Sequence, residues 1–168
     1  MKKGAFAKHE DHFIGNVGFG MIREGRKLPQ GVQSRIPNLI KDVARDKDAV
    51  ALYAFGGLAR NSLKPLSDLD FGMLLSCRMD KYQRIEKHNE LIGLFTDSLK
   101  TDEIDLIIMN DAPPNMAFQI LKTGKLLYCS DKSALTDFRD HLVKFYLDFK
   151  YKRDVFDAAF LKGIGYHG

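Results

Sequence analysis

The stretch Gly56-Gly57-Leu58-Ala59-Arg60-Asn61-Ser62-Leu63-Lys64-Pro65-Leu66-Ser67-Asp68-Leu69-Asp70 places a glycine pair ten residues ahead of an Asp-x-Asp. On its amino side, Ala49 to Phe55 is an unbroken apolar run that stops at the glycines, the pattern of a short buried strand feeding a tight turn. On its carboxyl side, Leu69 to Leu75 reads as a second strand. A period of two then puts Asp68, Asp70 and Gly72 on one face and Leu69, Phe71 and Met73 on the other. A third aspartate, Asp105, interrupts the apolar run Ile104 to Met109, sharing a face with Ile107 and Met109. Glycines let backbone N–H groups come close to a phosphate, and carboxylates are the hard oxygen ligands that magnesium takes, with manganese able to substitute. Burying three ionised carboxylates together is unfavourable unless a cation neutralises them, so the grouping predicts a divalent ion.

Helices are expected around these strands. Leu39, Ile40, Val43 and Ala44 recur at helical spacing after Ser34 and Pro37, until Asp46-Lys47-Asp48 ends the run. A long helix from about Asp80 to Leu99 carries the stripe Ile85, His88, Leu91, Ile92 and Phe95. Asn110 to Pro114 breaks the pattern, and a helix from about Asn115 to Lys122 ends at Gly124, for which a left-handed cap is expected. Leu126 to Cys129 reads as a brief strand. Beyond Ser130-Asp131 a helix runs to about Phe160, with Leu135, Phe138, Leu142, Phe145, Tyr146 and Phe149 along one side, widened by Tyr151, Phe156 and Phe160. Alternation of helix and strand makes the fold α/β, a short mixed sheet with flanking helices.

At 168 residues the chain suits one domain with a full core. Residues 32–168 are read as that domain and residues 1–31 as an irregular, glycine-rich extension. The net charge of +4 comes mainly from this extension, which holds six Lys or Arg against three Asp or Glu. That excess is too mild to point to direct nucleic-acid binding. Cys77 and Cys129 lack metal-ligand spacing and read as free thiols. Ala5-Phe6-Ala7 is cut off by Lys8-His9-Glu10-Asp11, so no signal-peptide core forms, and no segment suits a bilayer span; a cytoplasmic protein without membrane contact is expected. The five histidines show no metal spacing, and no Arg-x4-6-His ribonuclease motif is present.

The stretch from Tyr53 to Leu75 resembles the Gly-Ser-x10-Asp-x-Asp signature of the DNA polymerase β-like nucleotidyltransferases, and in particular the minimal nucleotidyltransferases that act as antitoxins beside HEPN ribonucleases. The resemblance continues through Ile104-Asp105-Leu106-Ile107, the Asn110 to Pro114 turn, Gly124-Lys125-Leu126-Leu127-Tyr128 and the final helix, covering about residues 34–160. It implies the nucleotidyltransferase fold, Gly56 and Gly57 as the phosphate-cradling turn, and Asp68, Asp70 and Asp105 as metal ligands and catalytic carboxylates. Arg60, Ser67 and Lys64 are implied as further nucleotide-binding residues, with ATP as substrate and Mg2+ as cofactor. The implied activity is transfer of AMP to a hydroxyl, a tyrosine, of a HEPN-type ribonuclease toxin.

Two departures stand out. Gly57 replaces the serine that usually follows the first glycine, removing a hydroxyl that would contact phosphate, so weakened activity is expected. Asn61 replaces a glycine, and Asn is the non-glycine residue that best tolerates the left-handed region. The first departure motivates an alternative, a module that neutralises its partner by occlusion. A small-molecule, antibiotic-type nucleotidyltransferase is the other, although such enzymes usually need a further helical domain.

Overall fold

The computed structural model describes residues 27–165. Most of the basic stretch expected over residues 1–31 therefore lies outside the described residues. From residue 27 onward the chain crosses the domain: the Leu28 N–H donates to the Pro65 carbonyl and its side chain packs against the core.

A single 3-10 turn, Val32–Arg35, leads into α1, Ile36–Val43. Then follow β1, Ala49–Ala54; a one-turn helix α2, Gly56–Ala59; β2, Leu69–Leu75; α3, Lys81–Leu99; and β3, Ile104–Ile108. The remaining elements are α4, Pro114–Thr123; β4, Lys125–Cys129; and α5, Lys132–Gly163. The sheet order is β3-β2-β1-β4. β1 runs antiparallel to both β2 and β4, whereas β2 and β3 are parallel, which makes the sheet mixed.

Residue alternation explains the layering. Leu52, Phe71, Met73 and Leu106 face α1 and α3, where Leu39, Val43, Leu91, Phe95 and Leu99 complete a core, with Phe71 and Phe95 meeting edge to face at 5.1 Å. Tyr53, Leu74 and Met109 face the opposite way, against Ile120 of α4 and Phe138 of α5. Gly72 lies on this second face, where a Cβ would come within 2.9 Å of Ile120, so glycine is what lets α4 pack down on β2. Asp80 caps α3 through a reciprocal capping box with Gln83.

Three expectations need correction. Gly124 does end α4, but with extended backbone (φ −76°, ψ 159°) in place of a left-handed cap. Space selects the glycine, since a Cβ there would lie 2.5 Å from the Ile120 carbonyl oxygen and 3.0 Å from that of Ala54. Ile85, placed on the buried stripe of α3, is half exposed (51%), because a helix of 19 residues outruns strands of five to seven. For the same reason the stripe of α5 is buried only over its first half. Phe145, Tyr151, Phe156 and Phe160 are exposed; the Phe149 side chain lies outside the described set.

Candidate active site

The end of β1 and the starts of β2 and β3 meet at one edge of the sheet. Ala54 pairs with Phe71 in antiparallel register, so the turn that follows β1 stands directly beside Asp70. Across the parallel pair, Asp70 is the register partner of Asp105. Register partners in a parallel pair point to the same face, so both carboxylates rise from the α4/α5 side of the sheet. Asp68 lies two residues before Asp70, just ahead of β2. All three aspartates predicted from sequence are thus brought to one edge, and Asp105 does not turn away.

The glycine turn is built around Asp70. Gly56 has φ +58°, the left-handed region, and a Cβ there would overlap the Asp70 carboxylate, so no other residue fits. The Phe55 N–H donates to the Asp70 carbonyl at 3.0 Å, and the Gly57 N–H donates to the Asp70 side chain. Asn61 closes α2 with φ 51°, the left-handed conformation anticipated for it. Gly57 has no such constraint: a Cβ there would make ordinary contacts, 3.6 Å from Leu63 and 3.7 Å from the Ser62 carbonyl oxygen.

Electrostatics at this edge are unfavourable by construction. Burial, then the charge of Asp105, then that of Asp68, raise the Asp70 carboxyl above its usual range, opposed by the Gly57 N–H and by Arg60. The expectation of three buried carboxylates is not met, however. Asp68 and Asp105 are exposed and Asp70 is half-buried, since they sit at or before the second residue of their strands, where no helix covers them. Like charges gathered at an open rim still favour a cation, and the all-oxygen donor set fits a hard divalent ion. Among the described residues no three acidic, His or Cys side chains are drawn close enough to hold an ion as they stand, so binding requires their side chains to rotate.

The other predicted residues divide. Arg60, exposed at the end of α2, is near enough to act on Asp70. The Ser67 hydroxyl accepts from the Lys64 N–H at 3.0 Å while the Ser67 N–H donates to the Lys64 carbonyl at 3.0 Å, so Ser67 shapes the loop that delivers Asp68. Lys64 is exposed and borders the segment around Leu28. Lys125, which sequence reading passed over, is the register partner of Ala54 and adds an exposed cation beside the glycine turn. Its only sequence signal is its place just after Gly124. A cavity of about 420 Å³ lies behind α2, walled by Ile36, Ile40, Leu58 and Leu126. Gln33, Asn61 and Lys125 add polar groups to its lining, and none of the three aspartates borders it.

A family model described as "Polymerase beta, Nucleotidyltransferase" matches residues 38–133. Nothing among curated proteins matches. Solved structures share the fold at low identity. A toxin-antitoxin structure with AMP-PNP aligns at 20% identity and TM-score 0.58, over 77% of this chain and 98% of that one. An MntA-HepT toxin-antitoxin structure aligns at 20% and 0.53, over 79% and 99%. The tri-AMPylated Shewanella oneidensis HEPN toxin in complex with MNT antitoxin aligns at 19% and 0.53, over 77% and 96%.

Proposed function

The chain belongs to the polymerase beta nucleotidyltransferase family, and on that premise we propose that it moves AMP from ATP to a hydroxyl of a partner protein, the acceptor being a tyrosine of a HEPN-type ribonuclease toxin. The observation that carries the reading is the pairing of Asp70 with Asp105 in register beside a glycine turn that wraps the Asp70 side chain. Support for the acceptor class comes from neighbours of the same fold, one solved with AMP-PNP and one with an AMPylated toxin.

Asp68, Asp70 and Asp105 would hold magnesium, which when bound neutralises triphosphate charge and lowers the pKa of the attacking hydroxyl. The chain's own residues account for the rest. The Gly57 N–H, which donates to Asp70, is a donor that a phosphate oxygen can take over once the carboxylate turns to a cation. Arg60 and Lys125 place positive charge beside the same turn. Asp105, the exposed member of the strand pair, accepts the proton of the incoming hydroxyl. The acceptor oxygen then bonds to the α-phosphorus, the bond to the bridging oxygen breaks, and pyrophosphate departs with the electron pair.

Gly57 favours one second reading: with the usual hydroxyl missing, the same architecture neutralises the toxin by covering it. Incubating the chain with ATP, magnesium and the toxin, and weighing the intact toxin, tests the first reading. A mass gain of one or more AMP groups is expected, and an unchanged mass rules it out. Loss of neutralisation in Asp68→Asn/Asp70→Asn favours transfer, and its retention favours occlusion.

A further inference from the structure

The face that α5 turns toward the domain does not end where the domain ends. Leu135, Phe138, Leu142 and Tyr146 recur at helical spacing and are buried or half-buried, and Tyr146 stacks on Phe118 of α4 at 4.1 Å. The same bearing continues with Phe156, Phe160 and Ile164, which are 70, 58 and 63% exposed. Every described residue of α5 beyond Tyr146 is exposed.

Topology sets where this face projects. α5 starts at the sheet end remote from the glycine turn, where the Ser130 N–H donates to the Val50 carbonyl, and it returns in the sense of α4, which finishes at Gly124 against Ala54. A helix of 32 residues is about 48 Å long, against about 23 Å for the seven residues of β2. Beyond Tyr146, which stacks on Phe118 of α4, about 25 Å of helix continues in the direction of the sheet end that carries Asp70 and Asp105, on the α4 side of the sheet.

We propose that the segment from Phe145 to Ile164 is a docking arm for a partner protein that presents an apolar groove rimmed by carboxylates, and that the arm holds the acceptor hydroxyl over the Asp70–Asp105 edge; this rests on the protein-acceptor reading above. Four aromatic side chains are left half or more exposed, Phe145, Phe156 and Phe160 on one side of the helix together with Ile164, and Tyr151 on the other with Leu147 and Val155. Phe156, Phe160 and Ile164 form an i, i+4, i+8 row, the pattern of a helix laid in a groove. Charge selects the groove. From residue 144 to 162 there are five bases, Lys144, Lys150, Lys152, Arg153 and Lys162, against three acids, Asp148, Asp154 and Asp157.

The test uses the full chain, with the HEPN-type toxin as probe in titration calorimetry. Phe156→Asp/Phe160→Asp, at exposed positions, is expected to weaken toxin binding at least about a hundredfold while AMP-PNP binding stays unchanged. Lys150→Glu/Lys152→Glu is expected to weaken it about tenfold and to reduce its salt dependence. Unchanged toxin affinity in both variants overturns the arm. So does a wild-type chain that binds no toxin, one that instead forms a dimer dispersed by the aromatic substitutions, or one that sediments with anionic phospholipid vesicles in place of toxin. An arm-dependent complex in which the toxin gains no mass sinks the transfer reading and leaves the arm standing. Wild-type transfer rates in Phe156→Asp/Phe160→Asp do the reverse.

Discussion

At the sheet end remote from the glycine turn, the Asn110 amide accepts from the Leu75 N–H and donates to the Leu75 carbonyl, each at 2.9 Å, and the Ser130 hydroxyl donates to the Ala49 carbonyl at 2.7 Å. There too Arg84 grips Asp111 through two hydrogen bonds, at 2.6 and 2.7 Å. At the opposite end Asp70 stands beside Asp105 with Asp68 close by, negative charge against negative charge. The carboxyl groups shift accordingly: Asp111 is held below its usual range by its bond to Arg84, and Asp70 is pushed above it by burial and by Asp105. One end is internally complementary, and the other gathers like charge around Asp70. Local conflict of that kind, in a fold with no unsatisfied buried side-chain polar atom among the described residues, is what the proposed site would require of these carboxylates.

The contrast is most severely tested by removing charge at the conflicted end. Asp68→Asn/Asp70→Asn is expected to cut AMP transfer by at least about a thousandfold, comparable to losing electrostatic stabilisation of a transition state. Metal-free Asp70→Asn should at the same time melt at a higher temperature than the parent at neutral pH. The sign follows from the raised pKa. Asp70 favours the fold in its protonated form, an effect complete below the ordinary aspartate pKa and lost as pH rises through the raised value, so at neutral pH the ionised group opposes folding. The melting difference should therefore shrink on acidification; a variant less stable than the parent at neutral pH contradicts the picture.

Charge removal at the complementary end should do the opposite. Arg84→Ala strips a bidentate, largely buried partner from Asp111 and is expected to destabilise the fold by about 1–3 kcal/mol, read from denaturant unfolding. Because the Asp111 pKa is depressed, the stability it contributes is complete above the ordinary aspartate pKa and fades as pH falls through the lowered value. The gap between parent and variant should narrow in acid, leaving the part due to the Arg84 bond to the Met79 carbonyl, and ATP binding should be untouched.

The smallest effect separates the two glycines. Gly57→Ser adds a hydroxyl where only ordinary contacts await it, so the fold should be unchanged while ATP binding or transfer improves about tenfold. No gain would mean that position 57 does not face the phosphates.

Much of this was legible in sequence because it depends on neighbours along the chain. Leu69–Leu75 is bounded in the structure where its apolar run is bounded, and the period of two correctly set Asp70 apart from Phe71. The left-handed Asn61 follows from its residue type. Less could be read where a residue's role depends on what packs over it. Residue type alone suggests a cap at Gly124, because glycines often cap helices, whereas the close approach of the Ile120 and Ala54 carbonyls is what requires it. Ile85 and Phe156 carry the helical period of buried residues, and nothing local says that the sheet beneath them has run out.

The chain order of apolar and polar residues settled the elements, the glycine turn and the spacing of Asp68 and Asp70, because dihedral preference and side-chain alternation act over a few residues. Folding in three dimensions settled that Asp105 stands beside Asp70, that the carboxylates form an open rim, and that α5 outreaches its support. Each of these follows from strand register and relative element length, quantities fixed by contacts between segments distant in sequence.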